Sequence, residues 1–324
     1  MAEEPLTRSA SLTGYADLAR SLGLDPVRLA AEVGLPAPSL VDPDLRVPAS
    51  AVGRLLERSA RRAGALDFGL RLAETRNLSN LGVVGLAARE QPTLRAALET
   101  FVRYMWAHNQ ALTLTMEDLD GVTLVRERMA GPGAQAARQA NELVMGVLVR
   151  AIRRLTGSSW RPRAVYFAHA RPDDVRAHLR VLGVQPHFSQ DFNGLAIATS
   201  DLDRPVPDAD PDAGRRLQRY VELEAATAGA GPAIVARDLA VALLPTGGAS
   251  IERVAALMGL SRRTLHRRLA DAGTTFERLL DEARAELAAV YASAGRPWTE
   301  IAGLVGYSSL SALSRARRRW GRGR

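Results

Sequence analysis

The spacing of apolar residues changes along the chain, and the changes predict its elements. Tyr15, Leu18, Ala19 and Leu22, then Val27, Leu29 and Val33, stand at helical intervals across 13–34, and Pro36 and Pro38 end that piece. Val52, Leu55 and Leu56 predict the inner face of a helix over 49–63, and another helix follows Pro92 through His108. The period then shortens. Leu112, Leu114 and Met116 alternate with Thr113 and Thr115, and Val122 and Leu124 resume the alternation after Asp120-Gly121, which predicts a hairpin. A long helix over 134–155, a strand over 164–168, a helix over 173–182 and a strand over 195–199 follow. Residues 1–225 read as an α+β domain.

Small residues over 226–232 suit a linker, and Pro232 suits the first turn of a helix ending near Leu244. The rest of 233–324 is helical in pattern, with breaks at Gly259, Gly273, Gly295-Arg296-Pro297 and Gly306. Within it one arrangement occurs twice. In the first copy Val254, Ala255, Leu257 and Met258 form an inner face, Gly259 the turn and Ser261 the cap of a second helix. Leu265 and Leu269 of that helix point inward, which leaves Arg262, Arg263, Thr264, His266, Arg267 and Arg268 outward. In the second copy Ile301, Ala302, Leu304 and Val305 repeat the inner face, and Gly306 stands 47 positions after Gly259. Past the turn the register slips by one. Ser309 matches Ser261, Leu313 matches Leu265 and Arg315 matches Arg267, so that Leu310, Ser311, Ser314, Arg315 and Arg318 face outward.

Each copy has the layout of a helix-turn-helix, whose second helix enters the major groove of DNA. Arg hydrogen-bonds guanine O6 and N7 with both arms and phosphates besides, Ser donates or accepts, and Leu meets the thymine methyl. Phe276, Leu279, Leu280, Ala283, Leu287, Val290 and Tyr291 fit one amphipathic helix over about 275–293, a stiff connector. It would hold the two recognition helices roughly 34 Å apart, for successive grooves on one face of the duplex. The expected architecture is an α+β N-terminal domain followed by an all-α domain of two helix-turn-helix units joined by a linker helix.

Charge sharpens this reading. Residues 233–324 hold 15 Arg against 8 acidic groups, whereas 1–232 hold 28 against 27, so nearly all of the net +8 lies in the last quarter of the chain. That distribution fits a footprint for phosphates. Cys and Lys are both absent, which excludes disulfides, thiol chemistry, Cys-ligated zinc, a phosphate-loop Lys and a Schiff-base Lys. No Gly-x-Ser-x-Gly, His-Glu-x-x-His or Gly-x-Gly-x-x-Gly occurs, so no catalytic residue, cofactor or metal is expected. No apolar run of 18 or more residues and no signal-peptide pattern is present, so no membrane contact and a cytoplasmic location are expected.

The C-terminal region resembles the DNA-binding domain of the AraC/XylS family of bacterial transcription regulators. Ser261 through Leu269 resembles its first recognition helix, Gly306 through Ala316 its signature second unit, and Arg319-Trp320-Gly321 its end. The resemblance implies base contacts by Arg263, His266 and Arg267, then by Leu310, Ser311, Ser314 and Arg315. The sequence departs from the family at Arg317, where an aromatic usually packs the core of the second unit, and at Leu313, which replaces a frequent Phe. Leu22 through Pro26, Phe68 through Ala73, Gly82 through Gly85, Pro92 through Leu98 and Leu202 through Pro205 resemble the arabinose-binding-type sensor domain of a large subgroup. By that resemblance the chain senses a small-molecule effector, forms a homodimer, binds double-stranded promoter or operator DNA, contacts RNA polymerase and more often activates than represses.

Arg103, Tyr104, Trp106 and His108 form the densest cluster of aromatic and polar groups and are the candidate ligand residues, with Arg103 able to pair a carboxylate; the pattern suits better still Tyr104 and Trp106 in a core with Arg103 at the surface. His169, His178 and His187 lie close in sequence but at no recognised metal spacing. A second reading stays open, in which the chain binds DNA constitutively and its N-terminal domain only dimerises.

Overall fold

A computed structural model describes residues 4–131, 137–227, 232–244, 248–258 and 260–320. The chain divides into two units, Met1–Ala228 and Gly229–Arg324.

The first unit opens with β1 (Leu6–Arg8), then α1 (Tyr15–Ser21) and α2 (Pro26–Glu32). The single helical stretch expected over 13–34 is therefore two helices. Asp25 accepts hydrogen bonds from the N–H groups of Val27 at 3.0 Å and Arg28 at 3.1 Å, and Pro26 at the first helical position lacks a donor to lose, so a new helix starts there. Strand β2 (Arg46–Pro48) pairs antiparallel with β1 and leads into α3 (Ala49–Ala63). Then come α4 (Phe68–Glu74), α5 (Gly82–Arg89) and α6 (Leu94–His108), the last capped by the Thr93 hydroxyl.

The hairpin expected at Asp120-Gly121 is β3 (Leu112–Leu119) and β4 (Val122–Met129), with Leu119 opposite Val122. Helix α7 (Arg138–Thr156), β5 (Ala164–Tyr166), α8 (Arg176–Leu182) and β6 (Asn193–Ala198) follow, then α9 (Thr199–Leu202) and α10 (Pro211–Thr227). The four-stranded sheet runs β3-β4-β6-β5 and every pairing is antiparallel. Ala226 and Thr227, expected in a linker, are instead the last residues of α10; 228–231 lie outside the described residues.

Leu12, Tyr15, Leu29, Leu55, Phe68 and Leu143 belong to one buried cluster that joins α1 to α4 with α7. Helices α4 and α7 cross closely at Gly146, where a Cβ would stand 2.6 Å from that of Ala73. One acidic side chain of α7, Glu142, is fully buried. Its Oε1 accepts from Arg138 Nε at 2.8 Å and lies 3.0 Å from His178 Nε2 on α8, while its Oε2 is buried without a hydrogen-bond partner among the described residues.

The second unit is helical throughout its described residues: α11 (Pro232–Leu243), α12 (Ile251–Leu257), α13 (Arg262–Asp271), α14 (Phe276–Ser293), α15 (Trp298–Leu304) and α16 (Leu310–Trp320). Helix α11 packs on α12, α13 and α14, while the far end of α14 packs on α15. Among the described residues no helix is long and apolar enough to cross a membrane.

Candidate nucleic-acid interface and ligand cavity

The two helical pairs α12–α13 and α15–α16 are closed by the same bond. The N–H of Leu260 donates to Ala255 O at 2.8 Å, and the N–H of Tyr307 donates to Ala302 O at 2.8 Å, both spanning five residues and lying 47 positions apart. In the second unit the residue inside this closure, Gly306, has φ +74, the left-handed conformation that such a helix end requires. Its counterpart Gly259 lies outside the described residues.

After each turn a serine starts the next helix. Ser261 Oγ accepts from Thr264 N at 3.1 Å, and Ser309 Oγ accepts from Ala312 N at 3.3 Å. These caps lie 48 positions apart, one more than the turns, as the register slip required. Leu265, Leu269 and Leu313 are fully buried and fix the rotation of both helices, with Val254 and Ala255 beneath the first and Ile301, Ala302 and Val305 beneath the second. Leu304, expected inward, is only half-buried, and nothing is described of the Leu257 side chain.

That rotation decides what faces out. Arg262, Arg263, Arg267 and Arg268 are exposed on α13, with Thr264 and His266 half-buried beside them. On α16 Leu310, Ser311, Arg315 and Arg318 are exposed and Ser314 is half-buried. Leu310 is 42% exposed at the first residue of its helix, an apolar side chain that the core of the unit leaves uncovered. Arg262 is tied to Glu252 of α12 at 3.0 Å and Arg319 to Asp281 of α14 at 3.3 Å. Arg263, Arg267, Arg268, Arg315 and Arg318 make no ion pair among the described residues.

Helix α14 anchors the second pair through Arg284, whose Nε donates to Val305 O at 3.1 Å and whose guanidinium carbon lies 4.7 Å from the centre of the Tyr307 ring. Sequence reasoning missed this residue. Its signal is an Arg on the face of α14 that also carries Leu287 and Ala288, where the apolar pattern alone hides a polar clasp.

The described residues of the N-terminal unit form an open-mouthed cavity, about 880 Å³ of empty space when the part open to solvent is included. Val52 and Leu56 of α3, Phe101 and Met105 of α6, and Leu148 of α7 wall it, with Leu112, Leu114 and Met129 of the sheet below. Of the four expected ligand residues only His108 lines it. Phe101, Met105 and His108 recur at i, i+4 and i+7 and form one stripe of α6, Arg103 and Trp106 lie on the other side of the helix, and Tyr104 flanks the stripe without lining the cavity. Tyr104 is core instead. The Trp106 indole donates to Arg103 O at 2.8 Å, and the Arg103 guanidinium lies 5.9 Å from the Tyr104 ring centre.

Part of the cavity lining is polar. Arg76, only 4% exposed, donates from Nη1 to Ala10 O at 2.7 Å and from Nη2 to Ser11 O. Burial lowers its pKa to about 10, which still leaves it a cation. His108 is pushed down to about 3, first by burial and then by the charges of Arg8, Arg76 and Arg46, so its ring is neutral. Its Nδ1 and the Ser11 hydroxyl are buried without a hydrogen-bond partner among the described residues. No sequence signal pointed to Arg76, which sits in the short connection after α4.

Among the described residues no group of three or more His, Asp or Glu is placed to hold a metal ion. His169 and His178 both approach Glu142, and His187 stacks on Tyr166.

Two like-built helix pairs, each presenting an Arg-bearing second helix, define a helix-turn-helix DNA-binding protein. Residues 23–206 match the family described as the arabinose-binding domain of AraC transcription regulators, N-terminal, and residues 254–322 match a helix-turn-helix domain family. The HTH-type transcriptional regulator VirS of Mycobacterium tuberculosis is 36% identical over 318 residues, 97% of this chain and 94% of that one. The ornithine utilization regulator of Pseudomonas aeruginosa is 29% identical over 259 residues, 79% of this chain and 76% of the relative. The solved structure of transcriptional regulator CdpR from Pseudomonas aeruginosa is similar with a TM-score of 0.47 and 22% identity, covering 93% of this chain and 94% of that one. The chain belongs to the AraC-type transcriptional regulators that carry an arabinose-binding-type N-terminal domain.

Proposed function

We propose that this regulator binds a specific promoter sequence through both helix-turn-helix pairs and that a small molecule held in the N-terminal cavity controls the outcome. Arg263, His266 and Arg267 read base edges from α13, and Leu310, Ser311, Ser314 and Arg315 read them from α16. Arg262, Arg268 and Arg318 bind phosphates and set the register. The observation that carries this reading is the repeated turn closure, Leu260 to Ala255 and Tyr307 to Ala302, followed in each pair by a serine cap and a helix with unpaired exposed Arg. A scaffold that repeats so closely presents two similar faces to two grooves.

The regulator works in the cytoplasm as a homodimer, and its ligand shifts the population of domain arrangements suited to adjacent half-sites. Activation through contact with RNA polymerase is favoured over repression by family analogy alone. The cavity, where the Nδ1 of His108 is buried without a partner among the described residues, favours a ligand-controlled regulator over one whose N-terminal unit only dimerises. Footprinting of the full chain on its own promoter region tests the DNA half: two protected major grooves are expected, and protection lost in both the Arg267→Ala and Arg315→Ala variants. A footprint that neither substitution changes overturns the assignment. Transcription from that promoter, measured with and without candidate ligands, tests the sensing half, and a constant output across a broad metabolite panel favours the dimerisation-only reading.

A further inference from the structure

The chemistry of the cavity narrows the class of ligand, given the reading above that the cavity is the effector site. Three observations converge. Most of the lining is apolar, contributed by α3, α6, α7 and the sheet, and no Asp or Glu is among the lining residues. The polar lining residues are Thr7, Ser11, Arg76, Asn80, His108 and Asn109, of which Arg76 donates to Ser11 O and its charge acts on His108. Arg76 is a buried cation held by two backbone carbonyls, with no ion-pair partner among the described residues.

A buried charge is ordinarily paired. Arg76 and His108 both line the cavity, and the Nδ1 of His108 is buried without a hydrogen-bond partner among the described residues. We propose that the cavity takes an amphiphile with an apolar body and a single carboxylate head, the head seated against Arg76 and His108.

The surrounding charges agree. Arg8, Arg46 and Arg76 all act on His108 as positive neighbours. Arg8 is partly offset by its ion pair with Asp44, which does not line the cavity. Glu127 stands opposite Leu114 in the β3–β4 ladder, on the sheet face that floors the cavity. Burial pushes its pKa up to about 8, so near neutrality it carries no charge against a bound anion. An ammonium group would enter a positive field with no Asp or Glu among the lining residues to meet it. A free sugar would strand most of its hydroxyls on Leu, Val and Phe.

The test uses the full chain and calorimetric titration with four probes below their micellar concentrations: decanoate, decan-1-ol, decylamine and arabinose. Decanoate should bind one to one and at least tenfold more tightly than decan-1-ol, with decylamine and arabinose weaker still. Arg76→Gln should remove that tenfold preference while leaving decan-1-ol binding unchanged, which also reports that the variant keeps its cavity. Gly53 lines the wall and a Cβ there meets only that of Ala137, at 3.8 Å, so Gly53→Leu has room to fill the space and should abolish binding of both. Decylamine or arabinose binding as tightly as decanoate, a full preference surviving in Arg76→Gln, or no binding of decanoate would each overturn the ligand class.

Failure of the effector reading looks different. Decanoate would then bind and be blocked by Gly53→Leu, yet promoter occupancy and transcription would not respond to it or to any other ligand of the cavity. If transcription instead responds to another compound through a Gly53→Leu-sensitive site while carboxylates do not bind, the effector reading stands and the ligand class falls.

Discussion

The guanidinium carbon of Arg317, near the end of α16, lies 3.7 Å from the centre of the Trp298 ring at the start of α15. Arg317 is the position at which the family resemblance leads one to expect an aromatic in the core of the second unit. Here a cation on an indole face joins α15 and α16 instead. Cation–π contacts are worth about 0.5–2 kcal/mol.

Arg317→Ala should therefore loosen α16 by about 1 kcal/mol, and Trp298→Ala by more because it also removes a large ring from beside Ile301 and Leu313. A double-mutant cycle read by hydrogen exchange of the α16 amides measures the coupling. A coupling near zero would mean that Trp298 packs without the help of Arg317. Arg317→Phe should restore the stability lost in Arg317→Ala.

Arg267 and Arg315 occupy matched, exposed positions after the two serine caps. Replacing either with Ala should weaken specific binding by about 1–3 kcal/mol and relax base preference at one position of its own half of the site. Arg318→Ala should instead weaken binding to all sequences alike and lower the slope of log affinity against log salt by about one. Binding selections across randomised sites, repeated at several salt concentrations, separate the two behaviours. An unchanged base preference in Arg267→Ala would remove that residue from base readout.

Two glycines three residues apart should respond with opposite signs. Gly306 has φ +74, and a Cβ there would lie 3.2 Å from both Leu244 Cδ2 and Leu244 O. Gly303 is helical, and a Cβ there meets nothing within 4 Å. Gly306→Ala should destabilise the second unit by about 1–2 kcal/mol through left-handed strain and crowding. Gly303→Ala should stabilise it by about 0.5–1 kcal/mol through helix propensity. Exchange rates of the α15 and α16 amides report both.

Glu127 predicts how stability varies with pH. Burial, outweighing the amide of Asn193 across the β4–β6 ladder, raises its pKa from 4.5 to about 8. Between those values the folded chain keeps a proton that the unfolded chain releases, so stability is fully present below 4.5 and falls as pH rises toward 8. Glu127→Gln cannot titrate. It should match the wild type near pH 4 and exceed it on the order of 2–4 kcal/mol at pH 8, measured by urea unfolding of the N-terminal unit's signals. Parallel stability curves for the two proteins would contradict a buried neutral Glu127.

The elements that could be read ahead were those whose signal is local. The helix over Ala49–Ala63 and the hairpin at Asp120-Gly121 announce themselves by periodicity and turn chemistry within a dozen residues. The short strands Leu6–Arg8 and Arg46–Pro48 do not, because each is three residues long and exists only through pairing with the other across the intervening α1 and α2. Helix α10 was not anticipated, and its last turn took two residues from the expected linker.

The same division runs through the two sites. In the C-terminal unit the sequence by itself determined the turn spacing, the serine caps and the inward Leu265 and Leu313, and these fix which Arg side chains face out, because a helix with one buried stripe has only one possible rotation. The cavity of the N-terminal unit was decided by tertiary structure alone. Arg76, Ser11, Gly53, Phe101 and Leu148 come from five separate stretches of chain, and no local pattern marks a residue that helix packing will bring against a void. Periodicity names the buried face of a helix, but whether that face meets another side chain or empty space depends on how the helices cross, and that is settled only when the whole unit has folded.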